Sequence, residues 1–417
     1  MKFTNQQQVI NWIYSFKTMA PTRNLDHLYT ILADFDNPHL KLKTVHVAGT
    51  NGKGSTVAYL REALMQSGYK VATFTSPFIT CFGERMAINN IPMSEANLVK
   101  YANFLAANLV DPTGATTSFD VLTLISFLYF NDADVDIAIY ETGIGGRLDS
   151  TNVIAPLATA ITNVGHDHAD VLGDSQAARA TEKLGIVKPN IPLFTTEVDP
   201  ELLVLFVKTT TEKNAELVLA LSDAELLTSN AAGVEFRIGK KEYKIKMNGK
   251  HQYKNATLAV NVLEYLQTEC GFTHLDATKI TLTHWQGRFE LMQQAPPVII
   301  DGAHNFEGIQ ALIATVTKNY PDKNLKFLFS AIATKDAAQM IALLAAIADE
   351  LIFTQGTHFQ SFSPEELAGY CEKSAVIYDD YQNALDTEIA KLTDEDVLVV
   401  CGSLYFIADV RHYLKDI

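Results

Sequence analysis

The sequence predicts an α/β fold, in which a P-loop-containing domain with a mostly parallel sheet is followed by a smaller, Rossmann-like α/β domain. Short apolar segments rich in β-branched residues recur along the 417 residues, and stretches with helical spacing separate them. This alternation is typical of parallel strands covered by helices on both faces. The chain is also long for one hydrophobic core, which favours two domains.

Composition and charge narrow the class of protein. Hydrophobic residues make up 47% and charged residues 19% of the chain, as in ordinary globular proteins. The formal net charge of −15 argues against nucleic acid or an anionic membrane as the main partner. The four cysteines lack the spacing of a metal site or a disulfide framework. Since residues 1–16 do not resemble a signal peptide and no apolar run could span a bilayer, we expect a cytoplasmic protein.

The first part of the chain contains five predicted buried strands, at residues 44–49, 71–76, 135–143, 158–165 and 191–196. Helical spacing lies between them, for example in STVAYLREALMQSG and TTSFDVLTLISFLYF. The segment GVEFRIGKKEYKIKMNGK alternates as in an antiparallel hairpin that turns at Gly239. Residues 251–271 return to helical spacing.

The α/β pattern restarts after residue 284. Its predicted strands lie at residues 297–305, 325–332, 350–355, 375–380 and 396–403. We therefore predict a domain boundary near residue 284, with a larger domain at 1–284 and a smaller one at 285–417.

The segment TVHVAGTNGKGSTVAYL, residues 44–60, runs from a predicted strand through a glycine-rich turn into a helix. Such a turn presents backbone N–H groups and a helix N-terminus to a phosphate. The segment departs from the common G-x-x-x-x-G-K-[ST] pattern, and a plain glycine turn is the alternative. The order of residues favours the phosphate site, with Lys53 as a point charge. The predicted nucleotide-binding residues of this loop are Gly49, Thr50, Asn51, Gly52, Lys53, Gly54, Ser55 and Thr56.

Two further predicted strands end in polar segments. ETGIGGRLDSTN places Glu141 at a strand's carboxyl end, where open α/β sheets bind ligands; the alternative is a loop in which Glu141 and Arg147 pair with each other. ITNVGHDH places His166, Asp167 and His168 at the end of another strand; the alternative is a solvated histidine pair. Because both segments and the glycine-rich loop follow strands of one predicted sheet, a shared metal and phosphate site is favoured.

Three more segments carry candidate residues. Lys183 lies in a predicted helix, where its spacing is that of an ordinary solvated side chain. In WQGRFE, Arg288 offers a fork of donors to a phosphate. In IIDGAHN, Asp301 could bind a ribose or orient a base, and His304 could meet a phosphate. A salt-bridged hinge is the alternative for these last two segments, although domain boundaries favour ligand sites.

Taken in order, GTNGKGS, ETGIGGRLDSTN, the DH of HDH, EKLGIVK, GRFE and DGAHN resemble the folylpolyglutamate synthase/dihydrofolate synthase family of ATP-dependent Mur ligases. The resemblance covers about residues 40–411. The segments TSPFITCFGERMAIN (75–89) and TSFDVLT (117–123) are similar to the folate branch in particular.

The resemblance implies the Mur ligase architecture: an ATP-binding P-loop domain with the folate site, then a domain for nucleotide and glutamate. It implies that ATP phosphorylates the terminal carboxylate of a folate and that the amino group of L-glutamate attacks the acyl phosphate. Dihydropteroate is an alternative acceptor. The implied cofactor is Mg²⁺ at two sites. The implied partners are small molecules, with neither nucleic acid nor membrane, and the chain is expected to be a monomer.

The resemblance also assigns roles residue by residue. The implied catalytic residues are Lys53, Glu141, His168 and Lys183, the last of which matches a lysine that is carbamylated in the family. The implied metal ligands are Ser76, Glu141, His168 and Lys183. The implied nucleotide contacts outside the loop are Asn255, Arg288, Asp301 and His304, and the implied folate contacts are Thr117 and Phe119.

Four positions depart from the family pattern. Phe78 stands where the family has histidine, Asn90 where it has glycine, Asp120 where it has glutamate, and Gln286 where it has proline. None is a proposed phosphate or metal residue, so these departures bear on the preferred folate rather than on ligase chemistry.

Two other functions compete with this interpretation. One is another Mur-type ligase, acting on a UDP-muramoyl peptide or a poly-glutamate, against which the folate-branch segments argue. The other is a non-catalytic nucleotide-binding module, against which the set of Lys53, Glu141, His168 and Lys183 argues. Whether the chain also makes dihydrofolate stays open at this point.

Overall fold

The computed structural model describes residues 2–18, 24–111, 113–167 and 169–416. The chain divides into two compact units. The first comprises residues up to 164, 169–224 and 254–280, and the second comprises residues 165–168, 225–253 and 281–417. No helix in the described part of the chain is long and apolar enough to cross a membrane.

The first unit contains an eight-stranded sheet. Its strands are β1 (Thr44–Ala48), β2 (Val71–Phe74), β3 (Met86–Ile88), β4 (Ile91–Pro92), β5 (Ile137–Glu141), β6 (Ala158–Ile161), β7 (Leu193–Thr195) and β8 (Leu217–Leu219). They lie in the order β4-β3-β2-β5-β1-β6-β7-β8. The run from β2 to β8 is parallel, while β3 and β4 are antiparallel. Every residue of the central strands β1 and β5 is buried, as expected for a sheet covered on both faces.

Helices cover this sheet. They are α1 (Gln6–Tyr14), α2 (Asp26–Asp34), α3 (Lys53–Gln66), α4 (Glu95–Asn108), α5 (Ser118–Asp132), α6 (Ala169–Leu172), α7 (Gln176–Leu184), α8 (Pro200–Glu212) and most of α9 (Lys250–Glu269). Short 3-10 helices span Pro38–Leu40, Phe82–Arg85, Ser150–Val153 and Ala277–Leu282. The apolar sequence of α5 has no polar face, and this helix is accordingly buried over most of its length. Its core cluster includes Phe74, Phe127, Phe130 and Tyr140.

The second unit contains two sheets. The smaller has the order β11-β10-β9, from β9 (Ala224–Asn230), β10 (Gly233–Ile238) and β11 (Lys241–Ile245). The larger comprises β12 (Glu290–Gln294), β13 (Pro297–Ile300), β14 (Asn324–Phe329), β15 (Glu350–Thr354), β16 (Val376–Tyr378) and β17 (Asp396–Cys401). Its order is β12-β13-β17-β14-β15-β16, parallel except at β12. The helices are α10 (Phe306–Asn319), α11 (Ala337–Ala345), α12 (Pro364–Gly369), α13 (Tyr381–Lys391) and α14 (Leu404–Asp416).

The predicted α/β fold is confirmed. Every predicted strand contains a strand of the structure, and the predicted hairpin forms with its turn after Ile238. Strands that pattern reasoning missed are short or at sheet edges, such as the two-residue β4 and the edge strand β12, where too few residues alternate to give a signal. The boundary near residue 284 stays a prediction, since the second compact unit also takes residues 225–253.

Candidate active site

Four neighbouring parallel strands of the first unit end at one edge of its sheet. Ser76 follows β2, Glu141 ends β5, the glycine-rich loop follows β1, and Thr162 follows β6. Glu141 is paired in register with Val47 of β1, and its Oε2 lies 3.5 Å from the Ser76 backbone N. Ligands of open α/β sheets bind at this edge, beyond the carboxyl ends of the strands. The structure therefore brings Ser76, Glu141 and the loop together, as the sequence predicted.

The loop has a backbone shape that its glycines make possible. Gly49 has φ +144° and Gly52, the residue before α3, has φ +87°. A Cβ atom on Gly49 would lie 1.8 Å from Thr162 Oγ1, and one on Gly52 would lie 2.2 Å from Asn255 Oδ1. Thus both a left-handed backbone and close packing require glycine here. Asn255, one of the predicted nucleotide residues, packs against the loop itself.

The two residues after β6 hold the loop in place. Thr162 Oγ1 donates to Asn51 O at 2.6 Å, and Asn163 O accepts from Thr50 N at 3.0 Å. Asn163 Oδ1 accepts from Asn51 N at 3.1 Å. Lys53, at the start of α3, donates from Nζ to Gly49 O at 3.0 Å and to Thr50 O at 3.2 Å. These contacts fix the backbone of the loop and place the Lys53 ammonium inside it, an arrangement that can accept a phosphate.

The glycine-rich connection after Glu141, residues 142–149, is held in shape by Asp149. Its Oδ2 accepts from Gly143 N at 2.7 Å and Ile144 N at 3.0 Å, and its Oδ1 accepts from Thr151 N at 3.0 Å. Burial raises the pKa of Asp149, although these hydrogen bonds oppose the shift. Sequence reasoning missed this residue, whose signal is an aspartate directly before a Ser-Thr-Asn turn.

Arg147 does not pair with Glu141. Its guanidinium bonds the Glu182 carboxylate on α7, with Nη2 at 2.8 Å from Oε1. The alternative in which Glu141 and Arg147 pair with each other is therefore wrong. The Glu141 carboxylate is 5% exposed and lies beside the Ser76 backbone N.

Lys183 is buried, contrary to the expectation of a solvated helix surface. It lies in the last turn of α7 with 2% of its surface exposed. The glycine-rich connection packs closely on this turn, because a Cβ on Gly146 would lie 3.0 Å from the Lys183 backbone O. A buried lysine beside the Glu141 connection is unusual enough to indicate a role beyond solubility.

His168, predicted as a catalytic residue and metal ligand, lies outside the described residues. Within the described part of the chain, no three His, Cys, Asp or Glu side chains are close enough together to hold a metal ion. A cluster of these four residue types could not include the predicted ligands Ser76 and Lys183. Among the described residues, Glu141 is therefore the predicted ligand that could belong to one.

The predicted folate residues lie at the start of α5. Thr117 precedes this helix and forms a capping box with Asp120, in which each side chain bonds the other's backbone N. The Phe119 ring packs on Phe74, with centroids 5.6 Å apart, and its Cζ would lie 2.8 Å from a Cβ on Gly143. Phe119 thus lies against the connection that follows Glu141, and Thr117 caps the helix that carries Phe119.

In the second unit, Asp301 joins two turns. Its Oδ2 accepts from Phe289 N and its Oδ1 from Ala303 N, both at 2.8 Å. Phe289 is buried with φ +46°, a strained conformation for a non-glycine residue. Arg288 Nη1 donates to Gly287 O at 3.0 Å. The carboxylate therefore serves first to shape the loop that carries Arg288.

Residues 165–168 belong to the second unit, where Asp167 contacts the segment after β13. Asp167 forms an ion pair with Lys335, and its Oδ2 lies 3.3 Å from Asn305 Nδ2 and 3.6 Å from His304 Nε2. The His304 Nδ1 bonds Gly302 O at 2.7 Å. Lys335 was missed by the sequence analysis because it lies in an ordinary polar loop, TKD, with no motif.

A glycine-shaped phosphate loop at the carboxyl edge of a parallel sheet, with a buried carboxylate beside it, defines a P-loop nucleotide-binding enzyme. Residues 47–263 match the Mur ligase middle domain, and residues 287–404 match the Mur ligase glutamate ligase domain. The chain is 35% identical to the dihydrofolate synthase/folylpolyglutamate synthase of Bacillus subtilis, over 99% of this chain and 100% of that one. It therefore belongs to the folylpolyglutamate synthase/dihydrofolate synthase family of Mur ligases.

Other proteins that are similar to this chain bear the name folylpolyglutamate synthase. The folylpolyglutamate synthase of Lacticaseibacillus casei is 30% identical, over 98% of this chain and 99% of that one. The crystal structure of folylpolyglutamate synthase from Thermotoga maritima has a TM-score of 0.84 at 27% identity, covering 98% of this chain and 96% of that one. The Mycobacterium tuberculosis folylpolyglutamate synthase complexed with ADP and AMPPCP has a TM-score of 0.87 at 26% identity, covering 98% of both chains.

Proposed function

We propose that this chain is the ATP-dependent ligase that adds L-glutamate to the terminal carboxylate of a folate. The observation that carries the proposal is the phosphate loop, held by Thr162 and Asn163 beside the buried Glu141, in a chain that matches this family over its whole length. A ligase for a UDP-muramoyl peptide is not favoured, since the full-length relatives at 30% identity or more bear folate-enzyme names.

The chemistry requires an activated carboxylate, because a carboxylate anion is a poor electrophile. Transfer of the ATP γ-phosphoryl group to its oxygen gives an acyl phosphate and ADP. The amino group of glutamate then attacks the acyl carbon, the C–O bond to phosphate breaks, and an amide forms with release of a proton. The Thr50 and Asn51 N–H groups bond Asn163, so the other backbone N–H groups of residues 49–55 would hold the phosphates. Lys53 would exchange its bonds to Gly49 O and Thr50 O for phosphate oxygens.

Magnesium fits the residues at the sheet edge. Glu141 offers an oxygen ligand of the kind that magnesium prefers, and its carboxylate is buried, with Oε2 3.5 Å from the Ser76 backbone N. We propose that Ser76, Glu141 and His168 hold one ion. When bound, such an ion neutralises charge on the phosphates and the attacked carboxylate.

For a second ion we propose Lys183 as a ligand after carbamylation. An ammonium group cannot bind a cation, whereas a lysine carbamate offers two anionic oxygens. The burial of Lys183 in the last turn of α7, where the connection after Glu141 packs closely, supports the proposal.

The remaining predicted contacts are proposals of the same kind. Arg288, Asp301, His304 and Asn255 are proposed for the nucleotide, and Thr117 and Phe119 for the folate. We also propose a cytoplasmic monomer, in keeping with the free cysteines at 81, 270, 371 and 401. Light scattering and fractionation of the producing cells test these two points.

The deciding experiment is a turnover assay with MgATP and L-glutamate, in which a reduced folate and dihydropteroate are offered in parallel and glutamyl products are detected by mass. Product from the folate supports the proposed function. Product from both would make the enzyme bifunctional, as the name of the Bacillus subtilis relative describes that protein. If neither acceptor gives product while ATP binds, the folate assignment is wrong.

A further inference from the structure

The carboxylate of Asp120 joins three elements in the core of the first unit. His27 of α2 places Nε2 at 3.0 Å from Asp120 Oδ2, and the two side chains are 5% and 3% exposed. The same Oδ2 accepts from Thr117 N at 2.8 Å, at the start of α5. The Ser150 side chain, in the 3-10 helix after the glycine-rich connection, also bonds this carboxylate. A substitution of His27 would therefore affect both the start of α5 and the 3-10 helix that follows the glycine-rich connection.

The groups held in this way carry the proposed folate contacts. Thr117 contributes both its backbone N and its Oγ1 to the capping box with Asp120. The Phe119 ring lies against Phe74 and over Gly143, where there is no room for a Cβ. If the first turn of α5 rotates, the Phe119 ring must leave this position. Its neighbours there are the Gly143 backbone and the buried Phe74 ring, which are fixed by close packing.

Charge favours the pair between His27 and Asp120. The hydrogen bond to Asp120 raises the pKa of His27, with burial opposing the shift, and the nearby carboxylates of Asp111 and Asp26 add to it. Burial opposes ionisation of Asp120, but its hydrogen bonds, that to His27 first, lower its pKa. The His27 Nδ1 has no hydrogen-bond partner among the described residues, so Asp120 is the polar group that orients this ring.

We propose that His27 is a positioning residue for folate binding, which acts through Asp120 on Thr117 and Phe119. The proposal rests on the proposed function. Asp120 is one methylene shorter than the glutamate of the family pattern, and the imidazole of α2 completes the contact from the other side. Because the partner is a histidine, the strength of this contact depends on pH, and so does the binding of the folate.

The direction of that dependence follows from the raised pKa of His27. The charge-assisted bond is fully present below the usual histidine pKa, and it weakens as the pH rises through the raised value. We expect the KM for the folate to rise severalfold over this range while the KM for ATP stays constant, because the hydrogen bonds of the pair run to α5 and the 3-10 helix at Ser150.

The test compares three variants of the full-length enzyme. His27→Ala should raise the KM for the folate about tenfold, the worth of one charged hydrogen bond, with less than a twofold change in kcat. His27→Gln keeps a donor but cannot titrate, so it should retain most of the affinity and lose the pH step. His39→Gln is the matched control: His39 is also buried, its ring lies 5.7 Å from the ring of Phe127 in the same α5, and burial alone lowers its pKa to about 4.

Hydrogen exchange of the amides of residues 117–120 is measured without substrate. It therefore tests the positioning role of His27 independently of the turnover assay. Faster exchange in His27→Ala, and in the wild type at alkaline pH, supports positioning even if no glutamyl product forms. The proposal is overturned if the exchange and the folate KM of His27→Ala equal those of the wild type. It is equally overturned if His39→Gln produces the same changes, since the effect would then be that of any buried histidine.

Discussion

A Cβ atom on Gly52 would lie 2.2 Å from the Oδ1 of Asn255, a residue 203 positions further along the chain that is 4% exposed. Gly52 also has φ +87° immediately before α3. The phosphate loop is therefore shaped by a side chain of α9 as well as by its own glycines.

Gly52→Ala should weaken ATP binding about tenfold or more, because the loop must move to relieve the contact with Asn255. Gly68→Ala is the matched control: Gly68 follows the same helix with φ +92°, and a Cβ there meets nothing within 4 Å. Both variants carry a backbone strain of about 1–2 kcal/mol. Calorimetric titration with an ATP analogue measures the difference, and equal affinities of the two variants would contradict the prediction.

Lys53→Met should lower kcat/KM about 100-fold or more, the equivalent of roughly 3 kcal/mol, because it removes the charge that meets the phosphates. The fold should persist, since among the described residues the ammonium bonds the loop carbonyls of Gly49 and Thr50 alone. Lys70→Met is the control, because the Lys70 ammonium bonds the Ala133 carbonyl instead. Activity of Lys53→Met within twofold of the wild type would remove the residue from the mechanism.

Lys183→Gln should abolish a carbamate signal in the carbon NMR spectrum of enzyme kept in ¹³C-bicarbonate, and activity should fall with it. Lys188→Gln is the sharpest control. Burial lowers the pKa of Lys188 to about 8, which favours the neutral amine that a carbamate needs, yet its Nζ already bonds Asn152 O at 2.6 Å. A signal that survives Lys183→Gln and disappears in Lys188→Gln would move the modification to Lys188.

Arg411→Met should lower the free energy of unfolding by about 3–5 kcal/mol, because it leaves the Glu290 carboxylate buried without its cation. The Arg411 Nε lies 3.0 and 2.9 Å from the two carboxylate oxygens, and both side chains are buried. In contrast, Lys244→Met breaks the exposed pair with Glu235 in the same unit and should cost less than about 1 kcal/mol. Urea unfolding measures both, and equal losses would contradict this account.

His46 should make the protein sensitive to acid. Burial lowers its pKa to about 3, so the folded protein keeps the ring neutral while the unfolded chain protonates it near pH 6.5. The stability tied to this neutral ring is fully present above pH 6.5 and is lost as the pH falls towards 3, by about 1.4 kcal/mol per pH unit. His46→Asn should not show that loss. Parallel curves of unfolding free energy against pH for the two proteins would show that His46 does not titrate in this way.

Local patterns were sufficient for the strands, the hairpin and the glycine-rich turn between β1 and α3. Strand and helix periods repeat within a few residues, and the loop's glycines are adjacent in the chain, so their geometry is encoded where they stand. Burial of Lys183 could not be predicted, because its spacing on α7 is that of a surface residue and the segment that packs on this turn, at Gly146, lies 37 residues earlier in the chain.

The sequence by itself determined the α/β class, the order of the motifs and the residues that form the phosphate loop. Only the tertiary structure decided the pairings: Arg147 with Glu182 rather than Glu141, His27 with Asp120, and Asp149 with the N–H groups of residues 143 and 144. The physical reason is that a charge in the sequence has many possible partners. Desolvation makes an unpaired buried charge costly, so the partner is fixed only when packing decides which groups leave water together.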